Sequence, residues 1–446
     1  MAVLLTSVWL ERIFLGKENW LARRWCANRR GSVEASMKPF QPIEPVRMTH
    51  HAEAHEQLLY FTSSSLVADD RKLLFISDRT GDPNVFCRDI LTGAETRLTR
   101  NQEGFLKSYV YFRGNDYRGL GLASISSDFH HDQVYFIQGN DICSADLRGN
   151  LKLINRIPAG QVTAFTHVSA DGKFICVPTT DARALEAEDF KNDSPGYQVG
   201  GDGAKNEVIS DKPTYDIDER VRQENLSSYL RVYNTETGEI VLCEQVPRAW
   251  ITHVQFSPVD SNLILYNHEW AGDCGIGRIW LWNGKEHIRL RAPENGFSAA
   301  DWTCHEMWQA DGRFIIYHGK YQDGTAYVGR VSPAGGDNIE IRLPAEYQRY
   351  GHFTAGNLHN DWLVSDGYFH PEGAPENDNW GGEWISVQRI DWEGRRIEWL
   401  PLCEHKSYWN CQDSHPHPIF DHSDGSVYFT SNRDGKRAVF RVELPR

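Results

Sequence analysis

The chain has 446 residues, 40% of them hydrophobic and 24% charged, which is an ordinary globular composition. Its net charge is −14 and it carries no basic stripe, so neither nucleic acid nor an anionic membrane is an expected partner. Nine cysteines occur singly, without a Cys-x-x-Cys pair, and no apolar run approaches the length of a membrane helix. These features argue against a disulfide framework and favour a reducing, cytoplasmic compartment.

The first 36 residues differ in character from the rest of the chain. Glu11 and Arg12 interrupt the early apolar run and no small-residue cleavage site comes after it, so the segment does not resemble a secretory signal. We expect residues 1–36 to be an extension or the product of an upstream translation start, with Met37 as the natural start.

From there on, one module recurs along the chain. It consists of an apolar residue, a turn rich in Asp and Gly, and an apolar alternating strand, often followed by a polar turn and another strand. Seven copies begin at Ala68, Ser127, Val168, Phe256, Trp308, Leu358 and Phe420. Their typical spacing of about 40 to 55 residues is the range of a four-stranded propeller blade.

The two ends of the repeat predict closure. Residues 45–49 form a spare strand, and the last copy, which ends near Leu444, is one strand short. Joining the two ends in one blade removes open sheet edges. We therefore predict an all-β fold, a single seven-bladed β-propeller over residues 37–446, closed by an N-terminal strand in the last blade. Excursions at 181–228 and 366–382 are predicted to be loops that interrupt the repeat, the first with some helix.

Histidines recur just before the first strand of a blade, where the innermost strands of a propeller converge on one mouth of the central channel. They are His167, His253, His305, His352, His415 and His417. The last two lie in Gln412-Asp-Ser-His-Pro-His-Pro418, each directly before a proline, which favours extended backbone. Because neutral imidazole is the commonest protein metal ligand, the segment predicts a metal site completed from elsewhere in the fold.

Other residues carry weaker signals. Arg278 opens a strand of the fourth blade and is a surface arginine or part of the site. Four tryptophans could stack on sugar rings or belong to the core, namely Trp270, Trp302, Trp308 and Trp409. Cys304 and Cys411 are expected to be small buried residues rather than nucleophiles. The chain has no GxSxG elbow, P-loop or dinucleotide fingerprint, which argues against a hydrolase domain or a nucleotide enzyme.

Three segments in this order and spacing resemble the oligogalacturonate lyases, a seven-bladed propeller family of pectin catabolism. They are Trp302-Thr-Cys-His-Glu-Met-Trp-Gln-Ala-Asp-Gly312, Gly351-His352 and Cys411-Gln-Asp-Ser-His-Pro-His-Pro418. Supporting matches are Trp250-Ile-Thr-His253, Asn267-His-Glu-Trp270, Gly277-Arg-Ile-Trp280 and Tyr428-Phe-Thr-Ser431. The resemblance runs from about residue 45 to the C-terminus, while the excursion at 181–228 and the loop at 366–382 depart from it.

The resemblance implies a manganese ion held by three histidines and a glutamine, which correspond to His352, Gln412, His415 and His417. It implies that His305 is the catalytic base and Arg278 the active-site arginine. Imidazole ligands also suit zinc, iron, copper and nickel, so manganese is implied by the family rather than by the spacing.

The function expected on this basis is β-elimination of short galacturonides, small acidic oligosaccharides that would be the partners of the protein. Two alternatives remain open: a lyase acting on another C4-linked uronide, and a non-catalytic TolB-type propeller that binds sugar or protein. The chain length of the substrate, the native metal and the oligomeric state do not follow from the residues.

Overall fold

A computed structural model of the protein describes residues 35–37, 42–102, 106–107, 120–121, 124–128, 130–185, 221, 223–269, 277–298, 300–344, 351–367, 384–407 and 414–445. These residues form seven mainly antiparallel sheets that follow one another around a central channel, and the predicted seven-bladed β-propeller is confirmed. The described ranges do not include residues 1–34, Gln412 or most of the two expected excursions.

Blades 1 to 3 occupy the first half of the chain. The strands of blade 1 are Glu56–Gln57, Leu66–Val67, Lys72–Ser77, Asn84–Asp89 and Glu95–Arg97. Those of blade 2 are Leu106–Lys107, Leu120–Gly121, Ser126–Asp128, Gln133–Gln138, Asp141–Asp146 and Leu151–Arg156. Those of blade 3 are Gln161–Thr163, His167–Val168, Phe174–Cys176, Thr179–Asp181, Ser227–Asn234 and Ile240–Pro247.

Blades 4 to 7 complete the ring. The strands of blade 4 are Val254–Phe256, Ile264–Asn267, Ile279–Trp282 and His287–Arg289, and those of blade 5 are Trp302–Trp308, Ile315–Lys320, Ala326–Val331 and Ile339–Arg342. Blade 6 contains Phe353–Ala355, Trp362–Ser365, Trp384–Asp391 and Arg396–Glu404, with Ala35–Met37 parallel to its last strand. Blade 7 contains Ile419–Phe420, Ser426–Asp434 and Lys436–Glu443.

The chain termini close the ring as the repeat predicted. Val46–Arg47 pairs antiparallel with the last strand of blade 7, with Val46 opposite Arg441 and Arg47 opposite Phe440. The first strand of blade 1 also contacts the two long strands of blade 7. Residues far apart in sequence therefore share one sheet, and the edge that the last blade would otherwise expose is covered.

Apolar side chains hold neighbouring blades together. Separate clusters join blades 3 and 4, blades 4 and 5, and blades 6 and 7, and a larger cluster runs through the remaining junctions. Fully burying one large apolar side chain contributes roughly 1.5–3 kcal/mol, so the junctions form a rigid frame for the channel. Two short 3-10 helices, Ala182–Leu185 and Pro293–Asn295, occur in the described ranges, and no helix there is long and apolar enough to cross a bilayer.

Candidate metal and catalytic site

Three histidines from two blades meet at one mouth of the channel. His352 directly precedes the inner strand of blade 6, and His415 and His417 precede that of blade 7. All three are buried, and each offers a ligand atom within 4.8 Å of the others. Some point therefore lies within about 2.8 Å of all three atoms (4.8 Å divided by √3), so small side-chain shifts bring all three to the roughly 2 Å of a metal–imidazole bond.

The chemistry of these donors fits a divalent cation. Burial lowers the pKa of His417 well below its usual value, and His352 and His415 lower it further, so the ring is neutral at pH 7. Its Nε2 is buried and accepts no hydrogen bond from any residue in the described ranges. Buried polar atoms are normally satisfied, and a bound cation would satisfy this one.

Asp366 binds both His352 of blade 6 and His417 of blade 7. The carboxylate is fully buried and accepts hydrogen bonds from the backbone N–H of His352 at 2.6 Å and of His417 at 3.2 Å. Its Oδ2 also lies 3.1 Å from His352 Nδ1. A carboxylate behind a histidine ligand fixes the ring and its tautomer, which leaves Nε2 to bind metal.

The same arrangement recurs in three consecutive blades. A residue on or just after the second strand binds Nδ1 of the histidine that lies on or just before the inner strand. The pairs are Asn267 Nδ2 with His253 at 3.0 Å, His318 Nε2 with His305 at 2.8 Å, and Asp366 with His352. Because Nδ1 is engaged in each case, a ligand or proton taken up by His305 or His352 binds at Nε2.

The three rings nevertheless differ in chemistry. Asn267 Oδ1 accepts the backbone N–H groups of Thr252 and His253, so its amide nitrogen is the donor to His253 Nδ1. His253 therefore carries its proton on Nε2 and acts there as a donor rather than a base or ligand. His352, bonded to a carboxylate, takes the opposite tautomer.

His305 reaches the cluster because the inner strand of blade 5 is irregular. Cys304 pairs with His318 and Met307 with Ile316, so the inner strand contains one extra residue between these pairs. His305 has a φ of +50°, a left-handed value that is uncommon for a residue with a side chain. Such bulges re-aim side chains near active sites, and the His305 ring centroid lies 4.8 Å from that of His352.

Burial also sets the protonation state of His305. Burial lowers the pKa of His305 well below the usual value, and the neighbouring His352, His318 and Arg278 lower it further. Burial lowers the pKa of His318 to about 3. Both rings are therefore neutral at pH 7 and share one proton along their hydrogen bond.

Arg278 lies near this mouth but is already paired. Its Nε donates to Glu306 Oε2 at 2.7 Å and its Nη1 donates to Glu269 Oε1 at 3.2 Å, while Nη2 lies 3.3 Å from His253 Nδ1. All these side chains are at least nine-tenths buried. Burial alone would raise the pKa of Glu269, but the charge of Arg278 and the hydrogen bond from Thr252 hold that pKa well below its usual range.

Aromatic side chains from blade 1 pack against the histidines. The Phe61 ring contacts His305, His352 and His417, with centroids 5.4–5.5 Å apart, and Tyr60 contacts His417 at 4.9 Å. An apolar wall of this kind strengthens electrostatic interactions inside the site. Neither residue was predicted, because an apolar pair gives no signal in the sequence that separates it from the core.

A cavity of about 290 Å³ lies at the opposite end of the inner strands. It is lined by residues that follow those strands, such as Ser257, Gln309 and Asn357, and Phe61 separates it from the histidines. Its amide groups are used internally, since Gln309 donates to the carbonyl of Asn360 and Asn357 to that of Asp421. We therefore place the site at the histidine mouth.

Two sequence-based expectations about the histidines were wrong. His167 lines the opposite cavity, because the residue of blade 3 equivalent to His253 is Phe165, whose ring stacks on His253 at 4.1 Å. His417 is not extended before Pro418 but has a φ of +45°. His415 and His417 still converge, with ring centroids 5.8 Å apart.

The remaining candidates are distributed as follows. Gln412, Trp270, Trp409 and Cys411 lie outside the described residues, so their expected roles stay predictions. Trp308 is buried in the core, whereas Trp302 is 46% exposed. Cys304 is partly rather than fully buried, and desolvation raises its pKa to about 12, which argues against a nucleophile.

Fold and site together define a seven-bladed β-propeller with a buried three-histidine cluster at one mouth of its channel. The family model for oligogalacturonate lyase matches residues 222–446, just over half of the chain. The chain belongs to the oligogalacturonate lyase family.

Individual relatives agree with this assignment. The oligogalacturonide lyase of Pectobacterium atrosepticum is 25% identical over 224 residues, covering 47% of this chain and 53% of that protein. The oligogalacturonate lyase of Dickeya dadantii is 25% identical over 205 residues, covering 44% of this chain and 50% of that protein. In these alignments the chain spans about half the length of each relative.

Solved structures show the same fold over nearly the whole chain. An oligogalacturonate lyase from Vibrio parahaemolyticus superimposes with a TM-score of 0.69 at 19% identity, covering 93% of this chain and 97% of the other. An oligogalacturonate lyase in complex with manganese gives a TM-score of 0.67 at 18% identity, covering 93% and 99%.

Proposed function

We propose that the protein is a metal-dependent lyase that cleaves oligogalacturonides by β-elimination. The observation that carries the proposal is the convergence of His352, His415 and His417 beside a separate neutral histidine, His305. A propeller that only binds sugar or protein does not require three buried imidazoles around one point. Nor does it require a further neutral histidine beside them to act as a base. The family of the chain supplies the substrate class.

The proposed cation is manganese, the ion named for one relative of solved structure. His352, His415 and His417 would hold it, with Gln412 as the expected fourth ligand. When bound, it would supply Lewis-acid stabilisation of the uronate carboxylate on which negative charge develops. Imidazole and amide ligands are neutral, and the carboxylate of Asp366 beside them is engaged by His352 and His417.

His305 is the proposed base. Its Nε2 takes the proton from C5 of the uronate, the C–H electrons form the C4=C5 double bond, and the bond from C4 to the glycosidic oxygen breaks. The departing oxygen takes up a proton from water and leaves with its sugar unit, and His305 returns its proton to solvent. His318 accepts the Nδ1–H of His305, which keeps the lone pair of His305 on Nε2.

Arg278 is better suited to positioning than to direct contact with substrate. To bind a uronate carboxylate it would have to release Glu269 or Glu306, each held by a buried charge-assisted hydrogen bond. Instead it fixes Glu306, the neighbour of His305 in the chain, and its charge lowers the proton affinity of His305.

A pair of matched variants separates this role from general stability. Arg278→Lys and Arg291→Lys each remove a buried arginine fork, the second from a network with Glu340 and Asp301. We expect both to lower the free energy of unfolding by about 1–3 kcal/mol, measured by urea titration. Only Arg278→Lys should also lower kcat; equal kcat for the two variants would remove Arg278 from the site.

The proposed function is tested by following unsaturated-product absorbance with digalacturonate, with and without a chelator. We expect a rise that the chelator abolishes and that added manganese restores. A rise only with other C4-linked uronides would move the activity to that substrate class. No rise with any uronide, in protein shown to contain metal, would refute the lyase proposal.

A further inference from the structure

Trp302 is unusually exposed for its residue type. It begins the inner strand of blade 5 and is 46% exposed, although tryptophan is highly buried on average. Its ring lies edge-on to His318, with centroids 5.6 Å apart. The contacts continue from His318 to His305 at 5.0 Å and from His305 to His352 at 4.8 Å. Trp302 therefore stands at the outer end of a row of rings that leads to the metal cluster.

Lys320 stands beside Trp302. The two residues are paired across neighbouring strands, and directly opposite residues project from the same face with Cβ atoms about 4.5–5.5 Å apart. His318 lies two residues before Lys320 and shares that face. The side chain of Lys320 is exposed, and its ammonium forms no ion pair or hydrogen bond with any residue in the described ranges. Burial lowers the pKa of His318, and the charge of Lys320 is near enough to contribute.

An unpaired ammonium next to an exposed indole matches one kind of ligand. The indole face offers apolar contact area to the C–H face of a pyranose, and the ammonium offers a point charge to a carboxylate. In a chain with a net charge of −14, a cation without an acidic partner creates a local attraction for anions against the general field.

We propose that Trp302 and Lys320 form a subsite for a second uronate unit of the substrate. The inference rests on the proposed function, because His305 would hold C5 of the reacting unit and the glycosidic oxygen on its C4 leads to the neighbouring unit. In digalacturonate that neighbour is the unit that leaves. Trp302 stacks on its ring and Lys320 pairs with its carboxylate.

The test compares Lys320→Met on two disaccharides, digalacturonate and an analogue with neutral galactose as the leaving unit. With digalacturonate we expect KM to rise about tenfold, the equivalent of one charge-assisted contact, with kcat within about threefold of wild type. With the neutral analogue we expect Lys320→Met and wild type to agree, because the carboxylate that Lys320 binds is missing.

Trp302 is tested with the same two disaccharides. Trp302→Ala should raise KM about tenfold for both disaccharides, and Trp302→Phe should restore most of the loss, because a smaller aromatic face remains. An equilibrium readout is digalacturonate binding by calorimetry in the His305→Ala background, in which turnover is slowed. There Lys320→Met and Trp302→Ala should each weaken binding by about the same tenfold.

Lys285→Met is the matched control, since it removes an exposed lysine from a turn of blade 4 and changes net charge equally. Lys285→Met should leave KM unchanged. If it raises KM as much as Lys320→Met does, the effect comes from the net charge of the protein, and the subsite is overturned. The subsite is also overturned if wild type cleaves digalacturonate while both site variants keep KM within twofold. A fall in kcat without a change in KM would assign Trp302 to the support of His318. If wild type itself forms no product, the proposed function fails, and the subsite with it.

Discussion

Replacing His305 with alanine is expected to lower kcat by at least about 100-fold while the protein keeps its metal, since a positioned base typically supplies about 10²–10⁴-fold. Among the described histidines of the mouth, His305 alone combines neutrality, contact with His352 and an Nδ1 engaged by another neutral ring. The measurement is steady-state kinetics on digalacturonate together with metal content by atomic absorption.

His287→Gln is the control for loss of a histidine, because His287 lies on the outer strand of blade 4, where it pairs with Glu244 and Tyr266. We expect it to retain wild-type kcat. Near-normal turnover in His305→Ala with bound metal would remove His305 from the role of base.

Variants of His318 refine this result. His318→Leu removes the acceptor for His305 Nδ1–H and should lower kcat about tenfold with little change in KM, the worth of one hydrogen bond. His318→Gln keeps an acceptor and should recover part of the loss. If both variants lose metal instead, His318 supports the cluster rather than the base.

The second large effect concerns the metal. His417→Ala or His415→Ala is expected to weaken metal binding by more than the 10–100-fold typical of losing an outer hydrogen-bond partner, and activity should fall with it. Asp366→Ala removes such an outer partner of His352 and should fall within that range. Calorimetric titration of manganese into the chelator-treated protein measures the affinities directly.

His359→Ala is the matched control for these variants. His359 belongs to blade 6 like His352, but it stacks on Trp362 and bonds Asp424 away from the mouth. It should bind manganese as wild type does. Normal metal affinity in His417→Ala would show that the three rings do not share one ion.

The repeat made the architecture predictable from sequence. Each copy places its Asp/Gly turn and alternating strand at the same point of a blade, so the seven copies and the spare strand at residues 45–49 were sufficient for fold and closure. The convergence of His352 with His415 and His417 followed from the same periodicity, since inner strands of neighbouring blades open at one mouth.

The sequence did not predict contacts that depend on the exact register of paired strands. His167 was assigned to the mouth because it lies near the start of a strand, but a shift of two residues puts Phe165 there instead. Asp366 and His318 act through side chains opposite the inner-strand histidines, and their partners become visible only once the strands are paired. The bulge at His305 is a local irregularity that no repeat pattern specifies.

Arg278 shows a different limit. Its sequence position indicated an active-site arginine, but not that two buried carboxylates, Glu269 and Glu306, already hold it. One of these, Glu306, directly follows His305, and the other lies in the segment Asn267–Glu269. Charge balance inside a site depends on which side chains share a cavity, and the periodicity of a blade does not fix that.

Anomalous diffraction from crystals of the manganese-loaded protein, measured at the manganese absorption edge, tests the shared cation site most directly. We expect one strong peak within bonding distance of His352, His415 and His417, with His305 close by but not bound. A peak that touches only one of the three rings, or lies elsewhere in the propeller, would contradict a single site built from blades 6 and 7.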